Sequence, residues 1–251
     1  MTSSLTCTVI VPCYNEAARL DTDAFLEFLT QDRGISILFV NDCSTDNTLQ
    51  ILEQLQSRCP ERIGVLNKLK NGGKGEAVRD GMLEAIRRGG SQVVGFWDAD
   101  LATPLDAIPE LLNELEKNDR LQMVLGSRVR LLGREVRRKA SRHYLGRIFA
   151  TTASTLLSLP VYDTQCGAKL FRVSPQLEDL LATPFSSRWV FDVEILARYI
   201  VANNGDRGRL YTTIYEFPLR KWEDVAGSKV KPLDFVRAFG DVLKIYQRYL
   251  A

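Results

Sequence analysis

The chain has 251 residues, of which 45% are hydrophobic and 25% charged, with a net charge of +2. That is ordinary for a soluble globular protein of one α/β domain, and the small net charge gives no argument for a nucleic-acid partner. A single histidine excludes a multi-histidine metal site within the chain, and five cysteines without a C-x-x-C pair exclude a zinc ribbon or a redox motif.

In chain order, strand and helix signals alternate through the first half. Thr8 to Val11 is a β-branched run ended by Pro12, and Leu20, Ala24, Phe25, Phe28 and Leu29 recur at helical spacing. Ile35 to Val40 reads as a second strand, followed by Ser44 as an N-cap of a helix carrying Leu49, Leu52 and Leu55. Ile63 to Leu66 is a third strand, Glu76 to Arg88 a helix, Val93 to Trp97 a fourth strand, Leu105 to Glu116 a helix and Met123 to Leu125 a fifth strand. Such alternation predicts a mostly parallel central sheet flanked by helices. The second half is less regular: a basic stretch, a helix over about 140–159, a strand at Leu170-Phe171, a helix from Val193 to Ala202 and a strand over Leu210 to Phe217. Leu233 to Leu250 carries one apolar stripe, which suits a core, a dimer partner or a membrane surface. The expectation is one domain over 1–251, with a nucleotide-binding half (1–127), an acceptor-side half (128–232) and a final helix (233–251).

The chemistry gathers after the strands. Asp98-Ala99-Asp100 directly follows the fourth, and ligands of open α/β sheets bind at the carboxyl ends of strands. Two carboxylates this close repel each other unless a cation lies between them, and a hard divalent ion bridging to phosphates is the usual one. Pro12-Cys13-Tyr14-Asn15-Glu16 follows the first strand and Asn41-Asp42-Cys43-Ser44-Thr45-Asp46 the second. Tyr14 suits stacking on a base and Asp42 suits a ring N–H, although turn chemistry alone also favours Asn, Asp and Ser. Asn71-Gly72-Gly73-Lys74 opens a helix, a place that attracts phosphate, but it lacks the Walker A spacing. Arg128, Arg130, Arg134, Arg137, Arg138, Lys139, Arg142 and Arg147 crowd one stretch, suited either to an anion or to a solvated face.

These strand-end motifs resemble those of inverting family 2 glycosyltransferases of the GT-A fold. Lys74-Gly75-x-Ala77-Val78-Arg79, Asp163-Thr164-Gln165-Cys166-Gly167-x-Lys169-Leu170-Phe171, Arg188-Trp189-x-Phe191-Asp192-Val193-Glu194 and Gly227-Ser228-Lys229 narrow the resemblance to dolichyl-phosphate β-glucosyltransferases. The resemblance implies transfer of a sugar, glucose by this match, from a UDP-sugar to a polyprenyl phosphate. It implies that Pro12, Tyr14, Asn15, Glu16, Asn41, Asp42, Lys74, Asp98, Ala99 and Asp100 hold the donor, with Mg²⁺ or Mn²⁺ on Asp98 and Asp100. Arg128, Arg138 or Arg142, and Gln165 fall to the acceptor phosphate, and the catalytic set becomes Asp98, Asp100, Arg128 and Asp192. Cys43 stands where the family pattern has glycine, which implies a slightly altered turn. Three alternatives stay open: a GDP-mannose donor, a hydroxyl acceptor with Asp192 or Glu194 as base, and a non-catalytic membrane-surface protein. The chain shows no signal-peptide pattern and no run of the ~20 apolar residues needed to span a bilayer. The expected location is therefore cytoplasmic, with peripheral contact at a membrane face.

Overall fold

The computed structural model describes residues 5–31, 34–137, 140–225 and 232–251, without the side chains of 140–143 and 232–236. Seven strands form one sheet: β1 (Cys7–Cys13), β2 (Ile35–Asn41), β3 (Ile63–Asn67), β4 (Val93–Trp97), β5 (Met123–Ser127), β7 (Ala168–Arg172) and β8 (Ile214–Pro218). Their order is β3-β2-β1-β4-β7-β5-β8, and β7 alone runs antiparallel to its neighbours. A two-stranded sheet pairs β6 (Glu135–Arg137) with β9 (Lys221–Glu223). This is the mostly parallel, helix-flanked architecture expected.

Alternation along each strand divides the core between the two faces. Val9 and Val11 point to one side with Ile37, Phe39 and Trp97, under α1 (Thr22–Thr30), α2 (Thr48–Arg58) and α4 (Ala107–Lys117). Ile10 points to the other with Leu38, Val40 and Phe96, under α3 (Lys74–Arg88), α5 (Ala140–Leu157), α6 (Pro175–Ala182) and α7 (Phe191–Ala202). Sheets buried on both faces are made of such near-continuous apolar runs. Gly95 sits mid-strand in β4, where a Cβ would lie 2.2 Å from the Lys169 carbonyl oxygen. The antiparallel strand β7 can lie this close only because residue 95 has no side chain.

Two expectations need correction, and one left open is resolved. Ser44 caps no helix: α2 starts at Thr48, and the Ser44 hydroxyl accepts from the Asn15 amide at 3.0 Å. Leu210 is not in a strand. Asp206 caps α8 (Arg207–Thr213) by accepting from the Arg209 amide, and β8 begins only at Ile214. The final helix α9 (Pro232–Tyr249) packs on α7 and α5 through buried Val242 and Ile245, which selects the core among the partners its sequence allowed, while Leu243 stays exposed. The halves of the chain also interlock, since β7 lies between β4 and β5. All five cysteines are free thiols.

Candidate active site

The parallel strands end together. Cys13 is level with Asn41, and Asn41 with Asn67, so the turns after β1, β2 and β3 share one edge. Because β7 is antiparallel, its first residue, Ala168, is level with Trp97, which brings Gly167 to the same edge.

The first two turns brace each other. The Asn15 side-chain oxygen accepts from the Thr45 amide at 2.8 Å, and the Thr48 hydroxyl accepts from the Glu16 amide at 2.8 Å. Glu16 is buried and paired with Arg19. Asn41 is buried, donating to the Asn67 side chain at 2.8 Å and accepting from the Ser44 amide at 3.3 Å. Pro12 lies within β1, and Tyr14 stands 41% exposed beside these turns. Asn15, Glu16 and Asn41 shape the turns beside it. Asn15, Cys43 and Leu101 all have positive φ, at 52°, 59° and 52°. Non-glycine residues in this region concentrate at sites where the surrounding structure over-determines them. Cys43 thus holds a left-handed conformation that glycine would adopt freely.

Asp42 turns inward. Its carboxylate accepts from the amides of Gly72 at 2.9 Å and Gly73 at 2.7 Å, and Lys68 lies 3.3 Å away. With 2% of its surface exposed, it organises the glycine loop. Arg188 closes the same loop, donating to the Gly72 carbonyl at 3.0 Å and to Asn71. Gly73, at φ 85°, leads directly into α3 with Lys74 as its first residue.

Asp98 and Asp100 stand at the end of β4, with Ala99 buried between them. The Asp98 carboxylate reaches Lys74 Nζ at 2.5 Å. It also lies where a side chain at position 167 would be: a Cβ there would come within 1.9 Å of Oδ2. Glycine at 167 is thus a steric requirement of Asp98. Burial and the Asp98 charge raise the Asp100 pKa, against the pull of the Ala102 amide, Arg19 and Lys74. Burial works against the Lys74 ammonium, but Asp98, Asp192 and Asp100 outweigh it and keep Lys74 charged. This donor set suits a hard divalent cation. It offers carboxylate oxygens and a carboxylate raised by its neighbour, and among the described residues no third Asp, Glu, His or Cys joins it. The remaining ligands would come from phosphate oxygens and water, as in other two-carboxylate sites.

Behind this pair, Lys169 is fully buried in β7 and pairs with Asp192, while donating to the Thr164 and Cys166 carbonyls at 3.0 and 2.6 Å. These partners use all three ammonium protons. Burial raises the Asp192 pKa, opposed by Lys169 and Lys74. Glu194 is wholly buried and held by Arg198, Ser186 and Tyr249. Both carboxylates are committed to partners within the protein, and Asp192 holds the lysine that braces the Thr164 and Cys166 carbonyls.

On the other flank, Arg128 forms a fork with Asp163: Nε donates to Oδ2 at 2.6 Å and Nη2 to Oδ1 at 2.7 Å. The Arg128 guanidinium also lies 5.3 Å from the Trp222 ring centroid. Burial opposes the charge, but Asp163 overrides it and holds the Arg128 pKa above its ordinary value. Asp163 itself is fixed by its amide donating to Glu216 at 2.7 Å. Arg147 stacks on Tyr162 at 3.7 Å and donates to its carbonyl. Nearby, Ser127 Oγ, Thr164 Oγ1 and Gln165 Nε2 are buried without a hydrogen-bond partner among the described residues. Arg138 and the Arg142 side chain lie outside the described residues, as does the Gly227-Ser228-Lys229 motif.

Sequence reasoning assigned no role to Asp163, Lys169, Glu216 or Arg19. A lysine inside the apolar strand Ala168-Lys169-Leu170-Phe171 was the one local signal, because a buried cation must have a partner. The others are set by tertiary pairing.

Residues 8–177 match the family described as Glycosyl transferase family 2. The chain is 33% identical over 257 residues to the dolichyl-phosphate beta-glucosyltransferase of Dictyostelium discoideum, covering 96% of this chain and 74% of that protein. It is 32% identical to a dolichyl-phosphate beta-glucosyltransferase of Trichomonas vaginalis, covering 95% of this chain and 70% of the relative. The Saccharomyces cerevisiae enzyme of that name is 30% identical, over 96% and 74%. Among solved structures, glucosyl-3-phosphoglycerate synthase of Mycobacterium tuberculosis has the same fold at 18% identity, with a TM-score of 0.65 over 97% of this chain and 81% of that one. It was crystallised with Mn²⁺, UDP and glucosyl-3-phosphoglycerate. The chain belongs to glycosyl transferase family 2, and its fold is the GT-A type.

Proposed function

We propose that this glycosyltransferase moves glucose from UDP-glucose to a polyprenyl phosphate of the dolichyl type. The observation that carries the acceptor class is the state of the two candidate bases: Asp192 and Glu194 are both buried and committed to internal partners. A hydroxyl acceptor needs a base within hydrogen-bond reach. A phosphate acceptor is already an anion near neutral pH and needs only positioning. The names of the relatives agree with this choice and supply glucose as the sugar.

Tyr14 stacks on the base, and the glycine loop held by Asp42 lies beside the diphosphate. A divalent metal on Asp98 and Asp100, Mg²⁺ or Mn²⁺, supplies positive charge to the diphosphate leaving group. Arg128 keeps the Asp163–Gly167 loop in register. The unpartnered hydrogen-bonding atoms of Ser127, Thr164 and Gln165 mark this flank as the acceptor side. The basic stretch is interspersed with exposed Leu131, Leu132, Tyr144 and Leu145 and followed by exposed Ile148. That composition favours peripheral contact with an anionic bilayer. Among the described residues, no helix is long and apolar enough to cross a membrane.

The test is product formation with UDP-glucose and GDP-mannose, each offered a short polyprenyl phosphate in Mn²⁺. Glucosyl phospholipid is expected from UDP-glucose alone, with Asp100→Asn lowering turnover by about two orders of magnitude or more, the scale of a lost charge-stabilising group. Preferred use of GDP-mannose, or full activity in EDTA, sinks this reading.

A further inference from the structure

Lys74 occupies an unusual position for a cation. It is the first residue of a fifteen-residue helix, α3, whose N-terminus already carries positive partial charge. An ammonium placed there is tolerated only beside anions, and the anion it has found is Asp98, at 2.5 Å. The pair is partly open, with the Lys74 and Asp98 side chains 28% and 35% exposed. Its inner side is closed. Lys74 Nζ lies 5.9 Å from the Phe96 ring centroid, and Lys169 Nζ lies 5.2 Å from the same centroid, already saturated by Asp192 and two carbonyls. Phe96 borders Lys74 on its buried side, and the exposed side of the pair is the one from which a further anion can reach the ammonium. The backbone below it stays fixed meanwhile, since the Gly75 amide donates to the Arg188 carbonyl at 3.1 Å and the Ala77 amide to the Gly73 carbonyl at 3.0 Å.

We propose that Lys74 is a resident counter-ion of Asp98 that exchanges this partner for the donor's diphosphate, and so makes metal and nucleotide binding mutually dependent. The inference rests on the donor-site reading above and specifies how that site fills. A divalent cation arriving alone meets Asp98 already neutralised and an ammonium beside it. A diphosphate arriving alone meets two carboxylates. Arriving together, the diphosphate draws Lys74 off Asp98 and frees that carboxylate for the metal. Charges within about 4–6 Å of one another govern such exchanges.

The experiment is Mn²⁺ titration followed by electron paramagnetic resonance, without and with UDP, on the full chain and on Lys74→Met, Lys74→Gln and Lys74→Arg. In the wild type, UDP should tighten Mn²⁺ binding within the 5–150-fold range usual for coupled sites. Lys74→Met and Lys74→Gln should bind Mn²⁺ alone about tenfold more tightly than wild type, with the UDP effect on Mn²⁺ binding reduced by about the same factor and only the part due to direct metal–phosphate contact left. Lys74→Arg should keep the wild-type pattern. Circular dichroism melts identify any variant that fails to fold, and the methionine and glutamine variants serve as replacements for each other. Mn²⁺ affinity that is unchanged or weaker in both neutral variants overturns the exchange alone. Absence of UDP binding to the wild type with Mn²⁺ present overturns the donor-site reading and the exchange with it.

Discussion

On the edge we propose for the donor, the turns after β1 to β3, polar side chains bond to backbone amides; on the edge we propose for the acceptor, around β7, they bond to buried charges. Asp42, Asn15, Thr48 and Ser44 each take an amide from a neighbouring turn, and the result is three loops locked at one height. Asp163 and Asp192 instead neutralise Arg128 and Lys169. The two solutions differ in what they tolerate. An amide left without its acceptor can still turn to water at an open edge. A buried charge left without its partner cannot. The donor edge should therefore yield by degrees and the acceptor edge abruptly.

The largest test of that contrast is Lys169→Met. It leaves the Asp192 carboxylate buried and unpaired, and should cost about 3–5 kcal/mol of stability by denaturant titration. Adding Asp192→Asn should restore most of the loss, since removing both charges of a buried pair is often nearly neutral. If the single variant melts like wild type, the pair carries no such weight. On the donor edge, Asp42→Asn keeps the shape but gives up charge-assisted bonds to Gly72 and Gly73. A loss of roughly 1–3 kcal/mol is expected from the same titration, smaller than for Lys169→Met. Equal losses would erase the distinction. Cys43→Gly should move the other way, gaining about 1 kcal/mol by relieving a side chain at φ 59°; a lower melting temperature would show that the cysteine contributes packing that outweighs its strain.

The smallest effect belongs to neither edge. Arg87 and Arg88 hold the Glu84 carboxylate down at about 2, from an ordinary 4.5. A depressed carboxylate adds stability above its unfolded pKa and loses it as pH falls through the folded one. Glu84→Gln should cost less than about 1 kcal/mol at pH 7, because such ion pairs on the surface of a helix are weak. The difference from wild type should fade between pH 4.5 and about 2. A difference that persists at pH 2 would assign the effect to something other than this carboxylate's charge.

Much of the donor edge was legible because it is written in local signals. Apolar runs set β1, β2, β4 and β5, each is followed by polar or turn-forming residues, and Asp98 and Asp100 sit at a strand end by sequence alone. What the side chains do there was less legible. Asp42 holds the loop after β3, a contact set by residues thirty positions away that its own turn does not announce. The acceptor edge hid more, because Lys169 meets Asp192 and Arg128 meets Asp163 across 23 and 35 residues. The segment Leu210 to Phe217 misled for a simpler reason. One buried leucine, Leu210, fits a helical turn capped by Asp206 as well as it fits a strand.

The placement of β7 has a consequence for how the protein is made. A nascent chain that has emerged only as far as β5 has no partner for that strand's inner edge, since β4 and β5 are each paired with β7 and not with each other. The sheet cannot extend beyond β4 until residues 168–172 have been synthesised. During that interval β5 and the facing edge of β4 are open apolar edges of the kind that recruits other chains. Folding on the ribosome should therefore show a pause in protease protection after β4, ending in a single step once β7 is available. A fragment cut at residue 127 should aggregate rather than fold.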